Sequence, residues 1–500
     1  MSARDSISTL LDRRRPLRFA IALGLLPAAL ACTVDPWPAD SSAEPRFMSI
    51  VVQPESTFQT MTGWEATINA RPTFALSQAL SDSLIARAVD DVGINRLRVE
   101  VRSGAENARD YWSEMGEKDD NPAWRCVRYA TVNDNDDPSV IDTAGFHFSE
   151  LDDEVRRVVI PMQRALAARG ERLIINLNYV AFTDQLCAGG EWHHGDPEEY
   201  AEFMLAASLH LRDRWRITPD YWEVILEPDN TPFWHGREIA LAMLATARRL
   251  SEAGFTPRFI APSDMSMSEA VVDVDAMLAV PGVEPLLAEL SYHRYAGASD
   301  ETLRALGERA RRLGIPSGML EHIGSGYQNL YRDIAIGGAG AWQQYVLAGI
   351  SEEWPPRDRG FVYVHARDPG RDTARTPEVR LSESAGFLKQ YFRYVREGAT
   401  RIGASGTSDA VTPLAFRNRD GSQVVVLKLD RERGARASIV GLSPGRYGVT
   451  YATSTTPRGN FPDVELTNGA ALNVGLSGRG VVTVFARANI AKADSSVSAR

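Results

Sequence analysis

Residues 221–230 read Tyr221-Trp222-Glu223-Val224-Ile225-Leu226-Glu227-Pro228-Asp229-Asn230. An apolar run ends in a glutamate, and the proline behind it cannot donate to a sheet ladder, so the strand stops there. Parallel β-barrels place their working side chains where strands end, so a strand halted on a carboxylate suggests the reactive rim of one. Upstream, the candidate strands are Thr60–Ile68, Asn95–Val101 and Arg172–Val180; downstream they are Arg258–Ala261, Leu287–His293, Gly318–Glu321 and Gly360–His365. Helical spacing of apolar residues lies between them, near Phe74–Val92, Leu151–Ala168, Pro197–Trp215, Arg237–Ala253, Ser268–Leu278, Asp300–Leu313, Gln328–Leu347 and Ser382–Val395. Eight strands alternating with eight helices predict an α/β protein, a (β/α)8 TIM barrel spanning residues 48–395. A doubly wound sheet is the alternative, but no Gly-rich phosphate turn follows the first strand.

After Gly398 the texture changes to short alternating runs: Val411–Arg417, Ser422–Asp430, Ala437–Leu442, Arg446–Thr453, Ala471–Val474 and Val481–Ala486. Gly, Pro, Asn and Asp punctuate them, which predicts a C-terminal antiparallel β-sandwich domain over 396–487. Met48–Val52 is apolar and could add a strand to it. Residues 488–500 are polar and are expected to be a disordered tail.

The amino-terminal end reads as an address. Arg13, Arg14, Arg15 and Arg18 precede the apolar run Phe19–Leu30, and Ala29-Leu30-Ala31 has the small-x-small form of a signal peptidase site. Residues 1–31 are therefore expected to be a signal peptide. Cys32 follows directly, so Ala29-Leu30-Ala31-Cys32 resembles a bacterial lipobox, although Ala stands where Leu is usual. Lipid attachment at Cys32 and soluble export after Ala31 are the two readings, with residues 32–47 as a tether rich in Pro, Ala, Ser and Asp. The expected location is a bacterial cell envelope, or a periplasmic or secreted form. Export also bears on the remaining cysteines of only 3, Cys126 and Cys187, which an oxidising compartment would pair as a disulfide.

Composition excludes more than it selects. With 55 Lys+Arg against 65 Asp+Glu, the formal charge of −10 argues against nucleic acid as a partner. A hydrophobic share of 44% fills a large core and argues against a disordered chain. The expected state is a monomer.

The chemistry should sit at the other strand ends. Met319-Leu320-Glu321-His322 again closes an apolar run with a carboxylate, Ser291-Tyr292-His293-Arg294-Tyr295 ends strand six, and strand two carries Arg96, Arg98 and Glu100. Two carboxylates from different strands in one cleft are what glycoside hydrolysis requires, one protonated to donate to the leaving oxygen and one ionised to attack. Buried strand-end glutamates also serve as plain ion-pair partners, and each alone would be as well explained that way. Glu223, four residues before Glu227, is taken as structural. His193-His194 forms no H-E-x-x-H, no cysteine cluster stands nearby and no G-x-S-x-G follows a strand, so neither a metal, a cofactor nor a serine nucleophile is expected.

The chain resembles the retaining glycosidases that carry acid/base and nucleophile glutamates on barrel strands four and seven, and within them glycoside hydrolase family 30. The carriers are Gln59–Trp64, Gly93–Arg98, Tyr221–Asp229, His293-x-Tyr295 and Glu321, together with the late segment from Phe387 to Ile402. The resemblance implies Glu227 as acid/base and Glu321 as nucleophile, with Arg98 orienting Glu321 and Tyr295 or His293 hydrogen-bonding near it. Leu226 departs from the pattern: the clan has Asn there, whose amide binds the sugar 2-hydroxyl. Asn178 or Asn230 is the candidate substitute. Trp64, Tyr179, Trp192, His193, Trp234, His235, Trp354 and His365 fall at strand ends or in upper loops and are candidates to line glycan subsites, although core packing explains any single Trp as well. The implied function is an exported retaining hydrolase of a β-linked poly- or oligosaccharide. The rival is an envelope lipoprotein that binds glycans on a degenerate barrel, which Leu226 favours. Long loops at Ser103–Gly145 and Ala181–Gly195 are expected to set which sugar enters.

Overall fold

The protein is described by a computed structural model over residues 32–34, 47–68, 78–115, 122–182, 192–351, 360–365, 378–432, 434–476 and 478–487. The expected signal peptide and tail, most of the tether, Cys187 and Trp354 lie outside these residues.

Eight parallel strands close into a barrel: β1 (Gly63–Thr67), β2 (Arg96–Arg102), β3 (Ile174–Val180), β4 (Tyr221–Glu223), β5 (Phe259–Ser266), β6 (Leu287–Ala296), β7 (Ser317–Glu321) and β8 (Ala339–Trp342). Closure is made by β8, which pairs with β7 on one side and, through Ala341 and Trp342, with Gly63 and Trp64 of β1 on the other. The eighth strand is not the expected one. Gly360–His365 lies outside the ring, on Val346–Ser351, which continues the sheet from Thr67 and is followed by the antiparallel strand Glu378–Leu381. The stretch Gln328–Leu347, expected as one helix, is helical only through Gly337. Gly338 then takes a left-handed φ of 72° that ends the helix, and the short Ala-Gly-Ala-Trp run closes the barrel.

Strand parity decides what faces inward. Glu65, Arg96, Arg98, Asn176 and Glu223 are all buried within the ring, while Trp64, Leu97, Val99, Leu177 and Trp222 belong to the large apolar core shared with the surrounding helices. A small apolar plug of Ile174, Tyr221, Ile260, Leu320 and Ala341 fills the interior. Beside it, Arg96 pairs with both Glu65 and Glu289, its distance to Glu289 being 2.9 Å. Trp64 stacks on Phe392 with centroids 4.3 Å apart, and its indole N–H donates to the Val395 carbonyl at 2.6 Å.

The second unit is a mixed, nearly closed sheet, in strand order Cys32–Val34, Leu472–Leu476, Ala435–Val440, Met48–Thr60, Thr400–Gly406, Val411–Arg417, Gln423–Leu429, Gly480–Ala486, Gly445–Thr453 and Gly459–Leu466. It wraps a core including Ile50, Ile402, Val425, Ile439 and Val484. Two pairings are parallel, against the antiparallel expectation: Met48–Val51 with Ala437–Val440, and Cys32–Val34 with Leu472–Val474. The first three residues of the expected tether thus form an edge strand. Among the described residues no helix is long and apolar enough to cross a membrane.

Trp64 is 1% exposed, so its removal should cost stability. Trp64→Ala is expected to lose about 3–5 kcal/mol of unfolding free energy in a denaturant titration. Unchanged stability with a raised KM would instead return Trp64 to the cleft.

Candidate active site

Glu227 follows β4 in the left-handed region, at φ 50° and ψ 60°. A non-glycine residue there is strained, and it is held by two backbone bonds: Glu227 N–H to Ser263 O at 3.1 Å and Asn230 N–H to Glu227 O at 3.0 Å. Pro228 disfavours a helical conformation at the preceding residue, so strand four ends in a turn that lifts the carboxyl group off the ladder. The Asn230 amide donates to Oε2 at 2.8 Å, and Oε1 lies 3.0 Å from His293 Nδ1.

Glu321 reaches the cleft through an irregularity in pairing. The register steps from Tyr292↔Met319 to His293↔Glu321, so Leu320 joins the interior plug while Glu321 also turns inward. Arg98 pairs with its Oε2, and the Tyr295 hydroxyl donates to Oε1 at 2.9 Å. Arg98 also lies 3.1 Å from Glu100, which pairs with Arg102 at 2.5 Å. Below them the Asn176 amide and Ser263 hydroxyl donate to Glu223 at 2.6 and 2.7 Å.

The two carboxylates live in different surroundings. Burial lifts Glu227 to about 7, against an opposing pull from Arg98 and the Asn230 hydrogen bond. Burial pushes His293 down to about 4, so its imidazole is neutral where Glu227 titrates. A neutral imidazole can accept from a protonated Glu227 or donate to an ionised one. Glu321 receives a guanidinium and a phenol, both donors, which match an anionic oxygen pair. Burial, with Glu321 second, raises the Tyr295 hydroxyl well above its ordinary value, keeping it a donor.

One carboxylate oxygen each from Glu227 and Glu321 and a ring nitrogen of His293 all lie within 4.8 Å of one another. Three such groups could by distance hold a divalent ion. Arg98 argues for proton chemistry instead, since it already occupies a Glu321 oxygen and brings its own positive charge.

Of the other expected site residues, the structure brings some to the cleft and removes others. Asn178 shares the inward parity of Asn176, is 0% exposed, and neither amide atom has a hydrogen-bond partner. Tyr179, next to it, faces outward, where its hydroxyl meets His194 Nδ1 at 2.7 Å and its ring packs on Tyr200 and Phe203. Trp234 is likewise buried against Tyr200, so Trp64, Tyr179 and Trp234 are core residues rather than glycan platforms. Trp192 is half-buried against the exposed Phe233, and the His193 backbone N–H donates to Thr131 Oγ1 at 3.0 Å; this pair remains on a rim. Cys126 is disulfide-bonded. Tyr345 was missed: it follows β8, and its hydroxyl is raised by burial and by the charges of Glu321 and Glu100. Recognising β8 in the sequence would have found it.

The sequence matches no family model. Solved structures are more informative. The catalytic domain of xylanase C from Talaromyces cellulolyticus, a family 30 glycoside hydrolase, aligns over 87% of this chain and 99% of its own, with 16% identity and a TM-score of 0.62. The chain shares its fold, a closed (β/α)8 barrel with a β-sheet unit, with this family 30 domain. A family 30 endoxylanase from Clostridium papyrosolvens matches over 88% and 100% of the two chains, at 16% identity and TM-score 0.63. An endo-β-1,6-glucanase matches over 89% and 96%, at 14% identity and TM-score 0.60. The family 30 likeness first carried by short motifs thus extends, as architecture, over both units.

The Glu227 shift has a measurable consequence. Between pH 4.5 and about 7 the folded chain holds a proton on Glu227 that the unfolded chain has released, so stability falls as pH rises through that window. Glu227→Gln removes this contribution. Its unfolding free energy minus that of wild type should climb from pH 4.5 to 7 and then level; a flat difference would mean that Glu227 titrates normally.

Proposed function

We propose that the protein is a retaining glycoside hydrolase that cleaves a β-linked glycan by double displacement. The observation that carries this is that one carboxylate oxygen of Glu227 and one of Glu321 lie within 4.8 Å of each other, an approach compatible with the roughly 5–5.5 Å carboxyl spacing of retaining enzymes. Glu321, aligned by Arg98 and Tyr295, attacks the anomeric carbon. Glu227, protonated near neutral pH, gives its proton to the departing oxygen, and the glycosyl–Glu321 ester forms. Glu227, now ionised, takes a proton from water as that water displaces Glu321 and restores both groups. His293, neutral where Glu227 titrates, places Nδ1 3.0 Å from Glu227 Oε1, and its Nδ1–H tautomer donates to the carboxylate that is left once Glu227 has given up its proton.

Leu226 is apolar and buried, so a sugar hydroxyl finds no amide at that position. Asn230 is engaged with Glu227. The unpartnered amide of Asn178 is the better candidate for that contact. Residues 1–31 serve on this reading as an export signal with Cys32 as the site of lipid attachment. Xylans and β-1,6-glucans are the first substrates to assay, given the activities named for the structural neighbours.

Labelling with an activated 2-deoxy-2-fluoro glycoside should place a covalent adduct on Glu321, read by peptide mass spectrometry. Binding without adduct or turnover would favour the glycan-binding rival. Glu227→Ala should lower kcat/KM by about 10²–10⁴ on substrates with poor leaving groups, and far less on activated aryl glycosides. Asn178→Ala should weaken transition-state binding by a few kcal/mol, roughly the value of a contact to the 2-hydroxyl, and that loss should vanish on a 2-deoxy substrate.

A further inference from the structure

A second concentration of charge lies outside the cleft, where the loop through residues 131–145 covers the first turns of helix Pro197–Trp215. Glu202 in that helix is 0% exposed, and neither carboxylate oxygen has a hydrogen-bond partner. Asn133 Oδ1 on the covering loop is also buried and unpartnered, while the Asn133 side chain hydrogen-bonds to Glu199, one turn before Glu202. Glu106 and Asp134 complete the group. Glu106 accepts from the Asp134 N–H at 2.8 Å and meets His194 Nε2 at 2.9 Å; Asp134 accepts from the Asp142 N–H at 2.6 Å.

Four carboxylates therefore share one locale, and the Arg249 guanidinium that acts on Glu202 has its Nη1 turned to the Pro138 and Glu198 carbonyls. Their mutual repulsion adds to burial at three of them, Glu202, Asp134 and Glu199. Burial and then the Asp134 charge push Glu202 up to about 8, and burial raises both Asp134 and Glu199, with Glu106 a contributor in each case. A buried carboxylate with no donor is costly, and it is relieved either by a proton or by a cation. The free atoms here are oxygens from a carboxylate and an amide, with no thiolate and with the neighbouring imidazole already engaged. Hard oxygen donors on a loop rich in Asp and Asn suit calcium, which accepts irregular sets of six to eight oxygens including carbonyls and water.

We propose that Glu202 and Asn133 Oδ1, with Glu199 beside them, bind a calcium-class divalent cation that fastens the 131–145 loop to the helix. Among the described residues only the catalytic group brings three carboxylate or imidazole ligands within 4.8 Å. This second site therefore rests on a mixed set, two glutamates and an amide, completed by water or main-chain oxygens. The same loop carries Thr131, which pairs with Trp192 and accepts from the His193 N–H. Cation binding would thus stiffen one wall of the cleft without supplying a catalytic group.

The test uses the full chain, stripped with a chelator and dialysed. Calorimetric titration with CaCl2 should show one cation bound per chain, and saturation at about 100 times Kd should raise the melting temperature by a few degrees. Glu202→Gln, which keeps the shape, should abolish both responses while its chelated form melts no lower than chelated wild type. Asn133→Asp, which adds an anionic ligand, should bind more tightly. No heat and no thermal shift in wild type would overturn the proposal and leave Glu202 as a buried carboxylic acid. An undiminished response in Glu202→Gln would also overturn it, as would an equal response to magnesium.

Discussion

The buried guanidinium of Arg98 is the constraint on which the rest of the interior depends. It touches Glu321 and Glu100 directly, and its charge opposes the burial of Glu223 and Glu227. Without it the upper barrel would hold several carboxylates with little water to screen them, and they would protonate or force the strands apart. Arg98 also divides them unequally. Glu321 gains a partner within contact, whereas Glu227 feels the same charge only from a distance. One arginine thus makes two chemically different acids from two identical side chains.

Arginine and glutamate recur along β2 at every second residue, Arg96, Arg98, Glu100 and Arg102, and each inward member finds an opposite charge on the same or another strand. The layers have different duties. The Arg96 layer joins β1, β2 and β6 through Glu65 and Glu289, far from the cleft mouth, and serves to fix the ring. The Arg98 layer carries the strand-end carboxylates. Placing the ring-fixing pairs lower in the barrel leaves the upper layer free to hold strained and unpaired groups, such as the left-handed Glu227 and the unpartnered amide of Asn178.

The pair of glutamates was legible in the sequence because each closes an apolar run, and Pro228 marked the stop at Glu227. The eighth strand was not: Gly338-Ala339-Gly340-Ala341-Trp342 is short, and the apolar spacing before it continues a helical pattern until glycine breaks it. Tyr345 was lost with that strand. Period two, rather than a place near a strand end, decides which way the aromatics face. Trp64 adjoins the inward Glu65, and Tyr179 adjoins the inward Asn178, so both had to face the helices. The division of partners, Tyr295 to Glu321 and His293 to Glu227, depends on a register irregularity between β6 and β7 that no local pattern encodes.

Strand Met48–Thr60 precedes the barrel in the chain yet lies in the middle of the second sheet, parallel to Ala435–Val440 and antiparallel to Thr400–Gly406. The barrel is in effect an insertion within the β unit. During synthesis that strand emerges early and must wait, with its apolar positions Ile50 and Val52 uncovered, while more than three hundred residues of barrel are made. Neither unit can be cut away at a single point in the chain: a truncation after the barrel strands this segment, and a C-terminal fragment lacks its own centre. Assembly order on the ribosome is therefore barrel first and sheet last, and an early-emerging hydrophobic strand is the part of the chain most exposed to a chaperone or to a wrong partner.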